Sequence, residues 1–357
     1  MAIKEYLEID GSFGEGGGAI LRLGVGFSFL FNRPIRIKNI RANRPKPGLR
    51  TQHLLGIKTT SELTNGTLSE CKVGTEELTF IPNPKKDAKN AIHLDINTAA
   101  SIGLLLQPIQ IASLGIRNPP KLEISLSGGG TFGKWAPSLN YLREVTYNIF
   151  KESGLKIDIQ INKHGFYPKG GAKVNCVIYP LKENLKPVNL TELGSIDLIQ
   201  GEIIITNQLR RNRDNIGDRI KKALQQQVRR NLKIETNLKY TWVDSTSEGV
   251  GLSLWAYSDT GAIISTGTIL GEKNISSEKL GALAADELTK YIQNEIPVDN
   301  YLSDQLIPLM AYVKHPSKIR VLEITSHTKT NLELVKLFTN RDYKIIKEKN
   351  GFIIEYT

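Results

Sequence analysis

Three stretches of the chain share one succession of patterns: a helical period, a stop, and an ending that alternates apolar and polar positions. The first has a helix over 52–64, a stop at Asn65-Gly66, and the ending TLSECKVGTEELTFIP. The second has SLNYLREVTYNIFKES, a stop at Gly154, and LKIDIQINKHGFYPKGGAKVNCVIYP. The third has NLELVKLFTN followed by YKIIKEKNGFIIEYT. Leu139, Leu142, Val145 and Ile149 keep the helical spacing, and the endings keep the period of two expected of strands with one buried face. Gly66 and Gly154 stand where a left-handed helix cap is expected. The pattern predicts an α/β (α+β) chain containing three units of related design.

Between the second and third units the pattern changes. A loop, KENLKPVNLTELG, leads to the strand GEIIIT and then to a basic helix with Ile216, Ile220, Ala223, Leu224 and Val228 on one face. Strand-like runs LKYTWV, GLSLWAYS and AIISTGTIL follow, and a long helix, EKLGALAADELTKYIQ, capped by Ser276 or Ser277, leads back to the main body. This divides the chain into residues 1–182, carrying two units, an inserted smaller α/β domain over 183–271, and the third unit over 272–357. The apolar run from Ala99 to Ile116 is broken by Gln107, Pro108 and Gln110. It predicts a buried helix and is short for a membrane span.

Composition narrows the partners. The 357 residues are 40% hydrophobic, enough for a large core, and the formal net charge is +11. That balance favours a polyanionic partner such as nucleic acid or a nucleotide, with a solvated basic surface as the alternative reading. Cys71 and Cys176 form no CxxC pair, which argues against a disulfide framework or a cysteine zinc site. With no apolar leader in MAIKEYLEIDG, a cytoplasmic protein is expected.

Six segments carry candidate chemistry. In IDGSFGEGGGAILRLG a strand runs through Gly14-Glu15-Gly16-Gly17-Gly18 into a helix bearing Arg22. Such a loop lets the backbone approach an anion at a helix N-terminus, and a carboxylate within it suits a divalent cation beside phosphate. IRANRPKPGLRTQH holds Arg41, Arg44, Lys46 and Arg50 on a proline-stiffened loop, a candidate phosphate clamp. SGGGTFGKW falls short of a P-loop, because Trp135 stands where a Ser or Thr should hold Mg²⁺. HGFYPKGGAKV reads as a hairpin turn. In NYLSDQLIPLMAY, Ser303 is a candidate N-cap that places Asp304 and Gln305 in a first turn, and Pro308 denies Asp304 a backbone partner. In RVLEITSHTKTNLELVKLF, Thr330 and Glu333 form a candidate capping box, which leaves His327 in the turn between strand and helix. A neutral imidazole there can attack phosphorus. No H-x-x-x-H pair exists, which argues against a histidine-built metal site.

The order IDGSFGEGGGAILR, RANRPKPGLRTQH, HGFYPKGGAKV, YLSDQL, TSHTKTN resembles the RNA 3′-terminal phosphate cyclase family, from about Ile9 to the C-terminus. The resemblance implies three units, each a four-stranded sheet with two helices, and a smaller domain inserted before the third. It implies ATP as substrate, Mg²⁺ or Mn²⁺, and an RNA bearing a 3′-terminal phosphate as partner. His327 matches the nucleophile that is adenylylated, and Glu15 matches the carboxylate at the metal. Arg22, Arg41, Arg44 and Gln52 match groups near phosphate or RNA. Gln107, Pro137, Tyr141, Tyr301, Asp304 and Gln305 match the nucleotide pocket, with Tyr141 and Tyr301 offering aromatic surface to adenine. The chain departs from its relatives in having Thr131-Phe132 and Pro137-Ser138 where Asp after Gly-Gly-Thr and a Pro-Pro pair are usual, and His164 in place of Arg.

Two other readings share this architecture. One is a cyclase-like ribosome-assembly factor, which lacks the catalytic histidine. The other is an enolpyruvyl transferase, which has no need of ATP. Retention of His327 with Glu15 and the arginines favours the enzyme, and a covalent adenylate on the protein discriminates among the three.

Overall fold

The computed structural model describes residues 5–210 and 215–357. The first unit contains β1 (Leu7–Asp10), α1 (Ala19–Leu30), β2 (Ile35–Lys38), α2 (Thr51–Leu63), β3 (Thr67–Leu68) and β4 (Leu78–Ile81). The second contains β5 (Ala91–Ser101), α3 (Ile102–Ser113), β6 (Leu122–Gly130), α4 (Leu139–Tyr141), a π turn over Leu142–Thr146, α5 (Tyr147–Ser153), β7 (Lys156–Lys163) and β8 (Lys173–Tyr179). Then come β9 (Asn189–Leu190), β10 (Leu198–Thr206), α6 (Ile216–Asn231), β11 (Glu235–Val243), β12 (Val250–Tyr257), β13 (Ile263–Ser265), β14 (Ile269–Leu270) and α7 (Ser277–Gln293). The chain closes with α8 (Asn300–Tyr312), β15 (Ser317–Val321), α9 (Ser326–Lys336), β16 (Tyr343–Glu348) and β17 (Gly351–Tyr356).

The repeat is visible in the strand pairing. Three four-stranded sheets run β1-β2-β4-β3, β5-β6-β8-β7 and β9-β15-β17-β16. Each begins with a parallel pair, β1 with β2, β5 with β6 and β9 with β15, and each closes with antiparallel pairs. A parallel pair needs a long crossover, and a helix fills it. In the third unit that crossover is very long, because everything from β10 to α8 lies between β9 and β15. The smaller sheet is therefore threaded out of the third unit after its first strand. The expectation had been an insertion ahead of that unit, because a strand of two residues within KENLKPVNLTELG leaves no periodic signal.

The smaller sheet, β11-β10-β12-β13 with β14 beside β12, carries α6 and α7 packed on each other. Thus α7, expected to lead back to the main body, lies along the inserted sheet. Part of the basic face of α6 is tied down there, with Arg219 Nε 2.7 Å from Glu278 Oε1. Residues 211–214, just ahead of α6, fall outside the described residues.

The core is centred on α1, every residue of which is buried except Leu30. It packs against α2, α3 and α9, so helices from all three units meet on it. Among the described residues no helix is long and apolar enough to cross a membrane.

Local readings differ in instructive ways. Gly154 has φ 111° and caps α5 as expected, but at the end of α2 the left-handed residue is Asn65, with φ 52°, and not Gly66. The run expected as one helix from Ala99 is strand through Ser101, whose hydroxyl then caps α3 by accepting from Leu104 N–H. HGFYPKGG is the β7–β8 hairpin connection, as expected, closed by a bridge between Phe166 and Gly170.

Candidate active site

The glycine loop, the arginine loop and the first turn of α9 converge at the C-terminal ends of the first unit's parallel strands. Gly14 has φ +58°, and a Cβ there would lie 2.3 Å from Thr330 Oγ1, so only glycine lets the loop seat against α9. This contact sets Glu15 beside His327, with Oε1 2.8 Å from Nδ1. The second oxygen of Glu15 accepts from Arg44 Nη2 at 3.2 Å. At Gly18 a Cβ would lie 2.3 Å from His53 Nε2 and 2.8 Å from Arg22 Nη1. The loop thus rests directly on those two side chains.

Arg22 is 7% exposed, and its Nε donates to Gln107 Oε1 at 2.7 Å. Burial lowers its pKa to about 10, against the raising charge of Glu15, so the guanidinium stays charged near neutral pH. Arg41, at φ +57°, braces its own loop by donating to the carbonyls of Lys46 and Gly48 at 2.7 and 2.8 Å. Burial, Arg50 and Arg44 all lower its pKa. His53 feels the same field. Burial, then Arg22, Arg41 and Arg50, depress it to about 2, and it is neutral. Its Nδ1 accepts from Arg50 N–H at 3.3 Å. Sequence reasoning passed over His53 among five histidines. Its only signal was its place next to Gln52, in the first turn after the arginine loop.

His327 does not sit in a loose turn. Thr325 is the N-cap of α9, its hydroxyl accepting from Thr328 N–H at 3.0 Å, which puts His327 in the helix's first turn. The expected cap, Thr330, instead donates to Ser326 O from inside the helix. The T-x-x-T spacing 325–328 lacks the acidic partner of a capping box, and so the T-x-x-E at 330–333 outscored it. Contact with Glu15 raises the His327 pKa, burial opposes this, and the charges of Glu15 and Asp304 add to the rise. On Glu15 burial works upward, but contact with His327 and the charges of His327, Arg44 and Arg22 win and lower its pKa.

Asp304 backs the histidine from α8. That helix is capped by Asp299, which accepts from the N–H groups of Tyr301 and Leu302 at 2.9 Å, so Asp304 and Gln305 lie one turn further in than expected and Ser303 is not the cap. Pro308 leaves the Asp304 carbonyl without its helical donor, as expected. Asn331 Nδ2 of α9 fills that vacancy at 3.3 Å, while Thr328 Oγ1 donates to the Asp304 carboxylate at 2.9 Å. Burial raises the Asp304 pKa. Gln107, Asp304 and Gln305 border one narrow cleft between α3 and α8, where Gln305 accepts from Gln110 at 3.4 Å.

The aromatic pair divides its roles. Tyr141 has no exposed surface and donates to Asp299 Oδ1 at 2.9 Å, so it offers no face to a base. Tyr301 is 43% exposed and meets Tyr141 nearly edge-on, centroids 6.1 Å apart. Pro137 lies at the start of α3, where its carbonyl would be 2.6 Å from a Cβ on Gly103. Gln52, next to His53 in the first turn of α2, lines a cavity of about 480 Å³.

The convergence of a charged arginine cluster on one histidine–carboxylate pair suits nucleophilic attack on phosphorus. Known proteins resemble this chain along nearly its whole length. A model of the RNA 3′-terminal phosphate cyclase family matches residues 13–345. A protein from Thermococcus gammatolerans described as RNA 3′-terminal phosphate cyclase is 36% identical over 341 residues, covering 96% of this chain and 94% of its own. Proteins of the same description from Methanothermobacter thermautotrophicus and Pyrobaculum aerophilum are 33% and 32% identical, covering 96% and 98% of this chain and 97% of each relative. The match spans both the repeated units and the threaded module, and the chain belongs to the RNA 3′-terminal phosphate cyclase family of enzymes.

Proposed function

We propose that the protein converts an RNA 3′-terminal phosphate to a 2′,3′-cyclic phosphate at the expense of ATP, by way of an adenylate on His327. The observation that carries this reading is the 2.8 Å approach of Glu15 Oε1 to His327 Nδ1 inside the arginine cluster. The Glu15 charge beside Nδ1 favours a proton on that nitrogen, which would leave the Nε2 lone pair as the nucleophile.

In the first step Nε2 bonds to the α-phosphorus of ATP, the bond to the bridging oxygen breaks, and pyrophosphate leaves with the electron pair. The ring then carries a positive charge, which Glu15 stabilises. Arg22, Arg41 and Arg44 offset phosphate charge, and Tyr301 gives the adenine a face with Tyr141 packed behind it. In the second step a 3′-phosphate oxygen of the RNA displaces the histidine from AMP. In the third the 2′-hydroxyl, losing its proton, attacks the 3′-phosphorus, and AMP departs.

A divalent cation, Mg²⁺ or Mn²⁺, would enter this site with the triphosphate and not into a preformed cluster of protein ligands. Glu15 is the sole carboxylate on the glycine loop, its oxygens face His327 and Arg44, and no group of three or more His, Cys, Asp or Glu gathers among the described residues. Such an ion would supply neutralisation of phosphate charge, with Glu15 as its protein ligand. The body formed by β1 to β9 and α8 to β17 would carry the chemistry, and β10 to α7 a separate module. The free thiols Cys71 and Cys176 suit a cytoplasmic setting.

The test is to incubate a 3′-phosphorylated RNA with ATP and Mg²⁺. The end should become resistant to phosphatase, with one AMP and one pyrophosphate released per end. An RNA end that stays phosphatase-sensitive while ATP is untouched contradicts the reading.

A further inference from the structure

We propose that the cavity beside Gln52 receives the base of one of the last RNA nucleotides, stacked on Trp135 and Tyr167. This deepens the RNA-end reading above and rests on it.

The cavity, about 480 Å³, opens where the second unit meets the threaded module. That lies within the roughly 300–1,000 Å³ typical of sites for small molecules. Its floor is a pair of buried rings, Phe132 and Phe166, stacked 5.3 Å apart at 6°. At its rim Trp135 is 90% exposed and Tyr167 is 81% exposed. Neither ring contributes to the core, and large aromatics left in water at the mouth of an apolar cavity mark a binding surface. Trp135 also holds φ +59°, a costly conformation for a bulky side chain, and such strain tends to gather at functional positions.

The electrostatics select a flat, uncharged guest. Among the described lining residues the one lysine, Lys134, is paired with Glu272 at 2.9 Å, with its ammonium 5.2 Å from the Trp135 ring centroid, so it offers no unpaired positive charge to a phosphate inside. A nucleobase has the required plane, and aromatic rings bind any base by its face. Gln52 makes the cavity continuous with the arginine loop, because it stands in the first turn of α2 between Arg50 and His53. An RNA whose 3′-phosphate is held at the arginines would then pass Gln52 and present a nearby base to the cavity. The groups assigned to ATP, Gln107, Tyr301, Asp304 and Gln305, line none of it.

The experiment measures two quantities in wild type, Trp135→Ala, Tyr167→Ala, the double alanine variant and Trp135→Phe: the dissociation constant of a 3′-phosphorylated RNA, and the rate of adenylylation with ATP alone. Each alanine variant should weaken RNA binding by roughly 5- to 100-fold, the range expected for loss of one stacked base. Trp135→Phe should recover most of it, and adenylylation should be unchanged. Removing the base from one of the last three nucleotides should weaken binding to wild type and cost Trp135→Ala little more. Full RNA affinity in the double alanine variant overturns the proposal, as does a fall in adenylylation, which would assign the rings to ATP. Absence of adenylylation in the wild type counts against the catalytic reading instead, and the RNA-affinity measurements still judge the stacking site.

Discussion

Glu15 and His327 come from opposite ends of the chain, one on the glycine loop of the first unit and one in the first turn of α9, and meet with Oε1 2.8 Å from Nδ1. Each moves the other's proton equilibrium: the histidine is pushed up and the carboxyl down. The pair is thus an imidazolium–carboxylate contact at mildly acidic pH, and the nucleophile proposed above would appear only when the ring loses a proton.

This sets the acid limb of the reaction. Adenylylation should rise with pH through a midpoint above the ordinary histidine value of 6.5, because the folded-state pKa is raised. In Glu15→Gln the midpoint should move down, since contact with Glu15 is the largest cause of the rise. The maximal rate should also fall, because the ring is no longer held. A pH–rate profile of adenylate formation checks both, and an unmoved midpoint contradicts the pairing.

The seating of the glycine loop on α9 makes Gly14 sensitive. In Gly14→Ala the new methyl meets Thr330 Oγ1 at 2.3 Å in a backbone of φ +58°, so the loop must lift and carry Glu15 away from His327. A misplacement of about 1 Å can cost on the order of a hundredfold in rate. Single-turnover adenylylation should drop by about that much, while ATP affinity changes less.

Asp299 is a buried hub beneath Tyr141 and Tyr301. It caps α8 and accepts from Tyr141, and burial pushes its pKa to about 7. Asp299→Ala removes a cap and orphans the Tyr141 hydroxyl, and should cost about 2–4 kcal/mol in urea unfolding. Asp299→Asn should cost much less. The folded state keeps this proton to a higher pH than the unfolded chain, whose carboxyl has the ordinary 3.8. Its contribution to stability is therefore full below about pH 4 and declines as pH rises to about 7. The Asn variant should lack that part of the decline.

Much of this was legible in the sequence, and the gaps have physical causes. The three units could be read because each helix and hairpin keeps its period. The order of the motifs pointed to the family, and His327, Glu15, Arg22 and Arg44 are in fact neighbours. β9 was missed because two residues carry no periodicity. The start of α8 was misplaced because Ser303 and Asp299 are both good caps, and only tertiary packing against Tyr141 decides between them. Pro308 did mark a missing helical bond, but nothing local could show that Asn331 of α9 would supply the donor. Tyr141 looked like a surface for adenine until burial of its ring put it behind Tyr301.

The most direct measurement is covalent labelling with ATP carrying a radioactive α-phosphate, in wild type and His327→Ala. The account predicts a protein adenylate that is acid-labile and base-stable, as a phosphoramidate should be, and none in the variant. Equal labelling of the variant, or none of the wild type in the presence of Mg²⁺ or Mn²⁺, would contradict it.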